Sequence, residues 1–513
     1  MNVATILDMA AMESAAGGHG DRTAVGRLAD GVGYRRLGEL ADAGRREVPA
    51  GSAAVVFIGQ SGPAFVTAFF ASARQGVPFV PLNYRLADEQ LRHLVGRYPD
   101  AIVIADRRYL HAIPATGCTV LSTDEWLARI STDSAVSAAD TAPTAETAAP
   151  ARPALHLYTS GTSAAPKAAL LHHRHLASYI FGSVEFGSAA PGEAALVSVP
   201  PYHIAGVANL LSNVFAGRRV VYLPDFTAAS WLETVRSESI TQAMLVPTML
   251  ARIVEEVEGG APADAPSLRL ISYGGARMHE SVLRRALRAF PEVGFVNAYG
   301  LTETSSSIAV LGPEDHRAAL ESDDPAVTRR LASVGRVLPG VEIEIRDEDG
   351  VARPRGVVGD IWVRGEQVSG EYADGGSVCD AEGWFPTRDA GWLDDDDFLF
   401  VEGRTDDTII RGGENIAPAE IEDVLLRHPA VLDAAAVGLP DEQWGQRVAA
   451  AVMLRPDAKA EPDELCAWTR EHLRGSRAAE LVVIRSELPR TDTGKLLRRQ
   501  VLADLMETSG RQR

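Results

Sequence analysis

Cysteine is nearly absent from this chain. Cys118, Cys379 and Cys466 are its only three, they lie far apart, and no CxxC pair occurs. That excludes a disulfide framework and gives no zinc-site pattern. Long apolar runs are missing too, and none approaches the ~20 residues a bilayer span needs. The start, MNVATILDMAAMESAAGG, lacks a basic segment followed by an apolar core and cleavage site, so no secretory leader is expected. Positive charge is in deficit: 50 Lys and Arg against 69 Asp and Glu leave a formal charge of −19. This argues against a broad nucleic-acid or anionic-membrane surface, while a local basic pocket for a nucleotide remains compatible. The expectation is a cytoplasmic chain with no nucleic-acid and no membrane partner.

What is present is an ordinary globular composition, 46% hydrophobic and 23% charged over 513 residues. The length predicts two or more domains. AAVVFI from Ala53, a helical stretch from Pro63 to Arg74, and VPFVPL read as a βαβ unit, with AIVIAD a further strand. Residues 131–153, rich in Ala, Ser, Thr, Pro and Asp, read as a mobile connector. Beyond it ALHLY, EAALVSV, RRVVYL, ITQAMLV, LRLISY and VGFVNAY alternate with helical segments, the pattern of a large α/β domain with mainly parallel strands. From Val334 the period changes to two, which predicts a β-rich subdomain over 334–403. Its run Asp394–Asp397 reads as an exposed turn rather than a metal site. A compact α+β unit is predicted from residue 404 to 513.

The chemistry concentrates in Tyr158–Lys167, YTSGTSAAPK. Thr159, Ser160, Thr162 and Ser163 surround Gly161, and Lys167 closes the stretch. Hydroxyl and amide donors with one ammonium make an anion cradle suited to polyphosphate; the bland alternative is a hydrophilic surface turn. It is not a Walker loop, because Pro166 precedes Lys167. Four unusual loops, YTSGTS, PPYHIAG, YGGAR and AYGLTET, each follow a predicted strand. Ligands sit at the carboxyl ends of strands in open α/β sheets, so the four are expected to gather at one rim.

The motifs YTSGTSAAPK, PPYHIAG, YGGA, NAYGLTE, WFPTRD, GRTDD, RGGENIAPAEIE and PRTDTGK, in this order, resemble the adenylate-forming superfamily of acyl-CoA synthetases, nonribosomal adenylation domains and luciferases. The resemblance covers nearly the whole chain. It implies a large N-terminal α/β domain (1–403) and a small mobile C-terminal domain (404–513) hinged near Asp406. It implies that a carboxylate attacks Mg-ATP to give an acyl-adenylate and pyrophosphate, and that coenzyme A then displaces AMP. The cradle would clamp the leaving phosphates. Lys495 would bridge carboxylate and α-phosphate, offsetting charge that develops in the transition state. Thr302 would contact phosphate and Glu303 would face Mg²⁺, a hard cation that keeps several waters. Tyr299 would lie against the adenine, Asn297, Ala298 and Gly300 would belong to the same nucleotide-binding stretch, and Gly274, Gly275 and Ala276 would let backbone approach base and substrate. Asp389 and Arg404 would hold the ribose.

The resemblance gives His203 the place of a gate beside the carboxylate channel; a lone histidine also fits core packing. Tyr202, Ala205, Gly206, Tyr273 and Ser305 would line the acyl pocket, together with Ala298 and Gly300. Gly412 and Gly413 would let a pantetheine arm pass. His172, His173 and His175 do not repeat a helical face and are read as structural. Three usual glycines are occupied, by Ala164, Ala168 and Arg388. Those departures keep open an ATP-dependent diazotase joining nitrite to an arylamine, transfer to a carrier protein, and a nucleotide-binding pseudoenzyme.

Overall fold

Val55–Ile58 carries no polar side chain and becomes a strand buried along its whole length. Pro63–Gln75 follows as a helix. Pro63 pre-sets its first turn, Gly76 ends it in the left-handed region (φ +72°), and every residue from Ala64 to Ala73 is buried. A helix apolar on all sides belongs inside the molecule, and this one lies in the main core. The computed structural model describes residues 1–16, 22–114, 117–133, 152–159, 166–261, 263–473, 475–491 and 494–511.

Two large sheets share that core. One has eight strands and includes Val55–Ile58, Phe79–Pro81, Ala101–Ala105, Cys118–Ser122, Leu155–Thr159 and Lys167–Leu171. The other has nine, with a parallel run formed by Arg219–Tyr222, Ala194–Val197, Gln242–Leu245, Leu270–Gly274 and Gly294–Leu301. Phe57, Phe65, Phe69 and Phe79 meet Val197, Leu210, Leu211 and Val246 between the sheets. The strands Val341–Arg346, Gly359–Gly365, Phe385–Leu393 and Leu399–Arg404 make a four-stranded antiparallel sheet, as the period-two pattern predicts. The C-terminal residues build their own core on Val431–Asp441, Gly445–Leu454 and Leu481–Ile484, covered by the helices Pro418–Leu426, Pro462–His472 and Arg498–Arg511. No helix among the described residues is long and apolar enough to cross a membrane.

Three expectations change. The cradle connects an antiparallel hairpin, Leu155–Thr159 with Lys167–Leu171, rather than a strand with a helix. Its strand also belongs to a different sheet from those of the other three loops. AYGL is not loop: Gly294–Leu301 runs through it and pairs antiparallel with Ser306–Leu311. Asp394 is buried rather than exposed, its Oδ1 accepting from the Asp396 and Phe398 amides. A short polar side chain that ties its own turn looks, in sequence, like a solvated acid. The expected connector lies mostly outside the described residues, at 134–151.

Candidate active site

The rim is built where the four-stranded sheet meets the end of Gly294–Leu301. Asp389 and Arg404 are register partners on adjacent strands. Asp389 is 7% exposed. Its Oδ1 accepts from Arg404 Nη1 at 3.3 Å and its Oδ2 from the Tyr299 hydroxyl at 2.6 Å. Arg404 also donates to the Thr387 carbonyl at 3.1 Å. Burial raises the Asp389 carboxyl above its ordinary value, and Arg404, Tyr299 and Lys495 pull it back in turn. The Lys495 charge therefore acts at Asp389 from far along the chain. Its loop is held by two reciprocal hydrogen bonds, Thr491 N–H to Lys495 O at 2.7 Å and Lys495 N–H to the Thr491 side-chain Oγ1 at 3.0 Å. Gly494 seats the loop on the nine-stranded sheet's side of the rim, where a Cβ would lie 2.6 Å from Thr248 Oγ1.

Thr302–Thr304 is a tight 3₁₀ turn after the strand. Glu303 is 8% exposed, and its Oε1 accepts from the Tyr372 hydroxyl at 2.6 Å. The base of the cradle hairpin meets this turn through Ser369, whose amide donates to the Glu303 carbonyl at 2.8 Å and whose hydroxyl donates to the Leu170 carbonyl. The strand Lys167–Leu171 of one sheet and the turn that follows a strand of the other are thus brought together. Tyr158, which leads into the cradle, is tied by its hydroxyl to that of Tyr98 at 3.0 Å. Thr159 is half-buried and Lys167 exposed; Ser160, Gly161, Thr162 and Ser163 lie outside the described residues.

Several expected lining residues are committed elsewhere. Tyr273 is fully buried on the core face of its strand with Ile271, and its hydroxyl meets His316 Nε2 at 2.9 Å. Strand alternation turns Ser272 and Gly274 the other way. Tyr202 packs into a core cluster with Tyr84, so it is a wall of the interior and not of an open pocket. Ser305 is fully buried, with its hydroxyl on the Gln367 carbonyl at 2.9 Å. Gly206 is buried in the helix Ile204–Ala216, where a Cβ would lie 2.7 Å from the Pro200 carbonyl oxygen. Ala205 is half-buried against the main core.

His203 precedes that helix with its ring 4.7 Å from Tyr202. Asn297 donates to the Ser333 carbonyl. A Cβ on Gly274 would meet the Ala298 carbonyl oxygen at 2.3 Å, so its smallness serves strand packing. Gly275 has φ +81°, a Cβ there would touch Val246 Cγ1 at 3.9 Å, and Ala276 is half-buried beside it.

Gly412 and Gly413, both with positive φ, form the turn between Ile409–Arg411 and Glu414–Ile416, the two-residue hairpin geometry that requires such residues. Asp406 is exposed in the 3₁₀ turn Thr405–Asp407 directly after Arg404. The histidines act separately: His172 Nε2 meets Glu371 at 3.0 Å, His173 Nδ1 accepts from the Val3 amide and His175 Nδ1 from the His172 amide. Burial lowers His173 to about 4 and His175 to about 3, so both are neutral. Sequence reasoning missed Tyr372 and Thr248. Each stands among unremarkable neighbours, and only the folded chain puts them beside Glu303 and Gly494.

The AMP-binding enzyme family model matches residues 12–373, and that of the AMP-binding enzyme C-terminal domain matches 420–495. The chain is 30% identical to the fatty acid–[acyl-carrier-protein] ligase ScoC of Streptomyces coeruleorubidus, over 87% of this chain and 86% of that one. It is 31% identical to the indoleacetate–CoA ligase of Aromatoleum aromaticum, over 86% of each. The o-succinylbenzoate CoA synthetase MenE of Bacillus subtilis, solved with the acyl-adenylate intermediate OSB-AMP, superposes with a TM-score of 0.79. It is 27% identical, with 96% of this chain and 97% of that chain covered.

Proposed function

We propose, from the premise that this chain belongs to the AMP-binding enzyme family, that it is an ATP-dependent ligase. It joins a small-molecule carboxylic acid to AMP and then passes the acyl group to coenzyme A. In the first step a carboxylate oxygen bonds to the α-phosphorus as the bond to the β-phosphate oxygen breaks, releasing pyrophosphate. In the second the thiol of coenzyme A forms the thioester, losing its proton, and AMP departs. The observation that carries this reading is the buried Asp389–Arg404–Tyr299 cluster, on whose carboxylate the Lys495 charge acts.

In this reading Asp389 takes the ribose hydroxyls, aimed by Tyr299 and Arg404. Lys495 lies where the acyl oxygen and α-phosphate meet, and its ammonium offsets their charge. Thr159, Lys167 and Thr302 hold the outgoing phosphates, and Ser160, Gly161, Thr162 and Ser163 complete that cradle. Glu303 suits Mg²⁺: Tyr372 takes one carboxylate oxygen and leaves the other for a hard cation. Bound there, the ion would neutralise charge on the phosphates. His203 stands at the mouth of the acid's channel. A unit comprising 404–513 turns about Asp406 between the steps, withdrawing Lys495 and bringing in the Gly412–Gly413 hairpin.

Incorporation of labelled pyrophosphate into ATP across a panel of acids tests the first step. Product analysis with coenzyme A, with a phosphopantetheinylated carrier protein, or with nitrite and an arylamine then identifies the acceptor. A relative that acts on an acyl-carrier protein makes the carrier arm the principal competitor. Exchange without thioester on coenzyme A would overturn the second step as written.

A further inference from the structure

Arg388 adopts a backbone conformation that an arginine rarely takes. Its φ is +60°, in the left-handed region. Among the described residues seven non-glycines have positive φ, and the other six are Asp100, Ser239, Ser305, Ser306, Asp397 and Asp457. Those are short polar side chains; Arg388 alone is long and cationic. The cause is local. Asp360 pairs with Ala390 and Trp362 with Pro386, so Ile361 alone faces Thr387, Arg388 and Asp389. The bulge is pinned on both sides of Arg388. Thr387 Oγ1 donates to the Ile361 carbonyl at 2.7 Å and accepts from the Asp389 amide at 3.1 Å.

Both neighbours are buried, while Arg388 is exposed. No hydrogen bond or ion pair to a described residue engages its guanidinium. It stands next in chain to the carboxylate proposed for ribose, and its charge acts on the Tyr372 hydroxyl that holds Glu303. A strained backbone at a site edge is a signature of a position kept for function. A planar cation with several donors suits phosphate oxygens.

We infer that Arg388 is a ligand-facing residue that binds the β- and γ-phosphates of the nucleotide and the pyrophosphate they become. The inference rests on the nucleotide reading of this rim. It adds a cation to the phosphate side that Lys167 and the cradle do not supply, between Glu303 and Asp389. Arg388 has no part in holding the nucleoside, which is left to Asp389, Arg404 and Tyr299.

Calorimetric titration of the full chain with Mg-ATP, Mg-pyrophosphate and AMP decides it. Arg388→Gly suits the backbone angle and removes the cation, so the variant folds with an unfolding midpoint no lower than wild type. Its affinity for Mg-ATP and Mg-pyrophosphate is expected to fall ~10- to 100-fold, the worth of one charge-assisted contact. AMP affinity should stay within about twofold. Arg388→Lys should recover part of the loss. Equal weakening for AMP and ATP would place the effect at Asp389 and overturn the inference, as would unchanged affinity for all three. Pyrophosphate exchange by wild type with the acid panel runs in parallel. If no acid supports exchange, adenylation fails as a reading while the binding difference still decides Arg388.

Discussion

Lysine occurs three times in the chain, at Lys167, Lys459 and Lys495, and two of the three stand in the motifs assigned to phosphate and transition state. A compact ammonium on a flexible stem suits a cation that must arrive and leave, where arginine's fork suits a fixed pair such as Arg404 with Asp389. Lys495→Ala should lower pyrophosphate exchange by at least ~100-fold, the scale of a lost transition-state contact. It should still convert a supplied acyl-adenylate to thioester; equal loss in both half-reactions would refute the division of labour. Asp389 sets function against stability. Burial raises its pKa, so the native state holds the proton more tightly than the unfolded chain. Stability therefore falls as pH rises from the ordinary carboxylate range through the raised native value. Asp389→Asn keeps an acceptor for Tyr299, so its unfolding midpoint should exceed wild type at neutral pH. That gain should vanish at pH values below the ordinary carboxylate range. KM for ATP should rise ~10-fold or more with the lost charged hydrogen bonds.

Elements explain why some expected residues face inward. Tyr202 and Tyr273 stand in the right motifs, yet alternation along Leu270–Gly274 and packing of the segment before Ile204–Ala216 point both rings into cores. Motif spacing locates a residue along the strand, whereas the face it occupies depends on which layer covers that strand. Glycine shows the same ambiguity. Gly300 lies so close to the antiparallel strand Ser306–Leu311 that a Cβ would fall 1.8 Å from the Ser306 carbonyl oxygen. Gly300→Ala must therefore spread two strands at the root of the Glu303 turn. A loss of roughly 2–4 kcal/mol in denaturant unfolding is expected, in the range of overpacking and strain combined. A shift below about 0.5 kcal/mol, typical of a surface substitution, would mean that the strands separate freely there.

At the scale of the whole molecule, the residues after 404 meet the rest of the chain at several described contacts, among them Thr405 Oγ1 donating to Asp360 Oδ1 at 2.8 Å. Gly494 lies over Thr248, and Arg277 Nη2 meets Asp423 Oδ2 at 2.6 Å. Exposed ion pairs contribute only about 0–1 kcal/mol, which is compatible with the rotation proposed for this unit. The would-be Cβ of Gly494 is 3.3 Å from Thr248 Cβ, near disulfide reach. The pair Thr248→Cys with Gly494→Cys, oxidised, should retain pyrophosphate exchange and lose thioester formation, with reductant restoring it. Thioester formation undiminished in the verified crosslinked protein would refute rotation.

The order of motifs along the chain was enough to specify the family and the alternating α/β plan, and it singled out Lys495, Glu303, Asp389 and Arg404 for the roles proposed above. Each of these rests on a residue type demanded by local chemistry, and that demand is written in the linear sequence. The partnership of Tyr372 with Glu303, the left-handed backbone of Arg388 and the burial of Tyr273 were decided only by tertiary structure. They arise from contacts and a strand bulge between segments remote in sequence, where spacing carries no information about which faces meet.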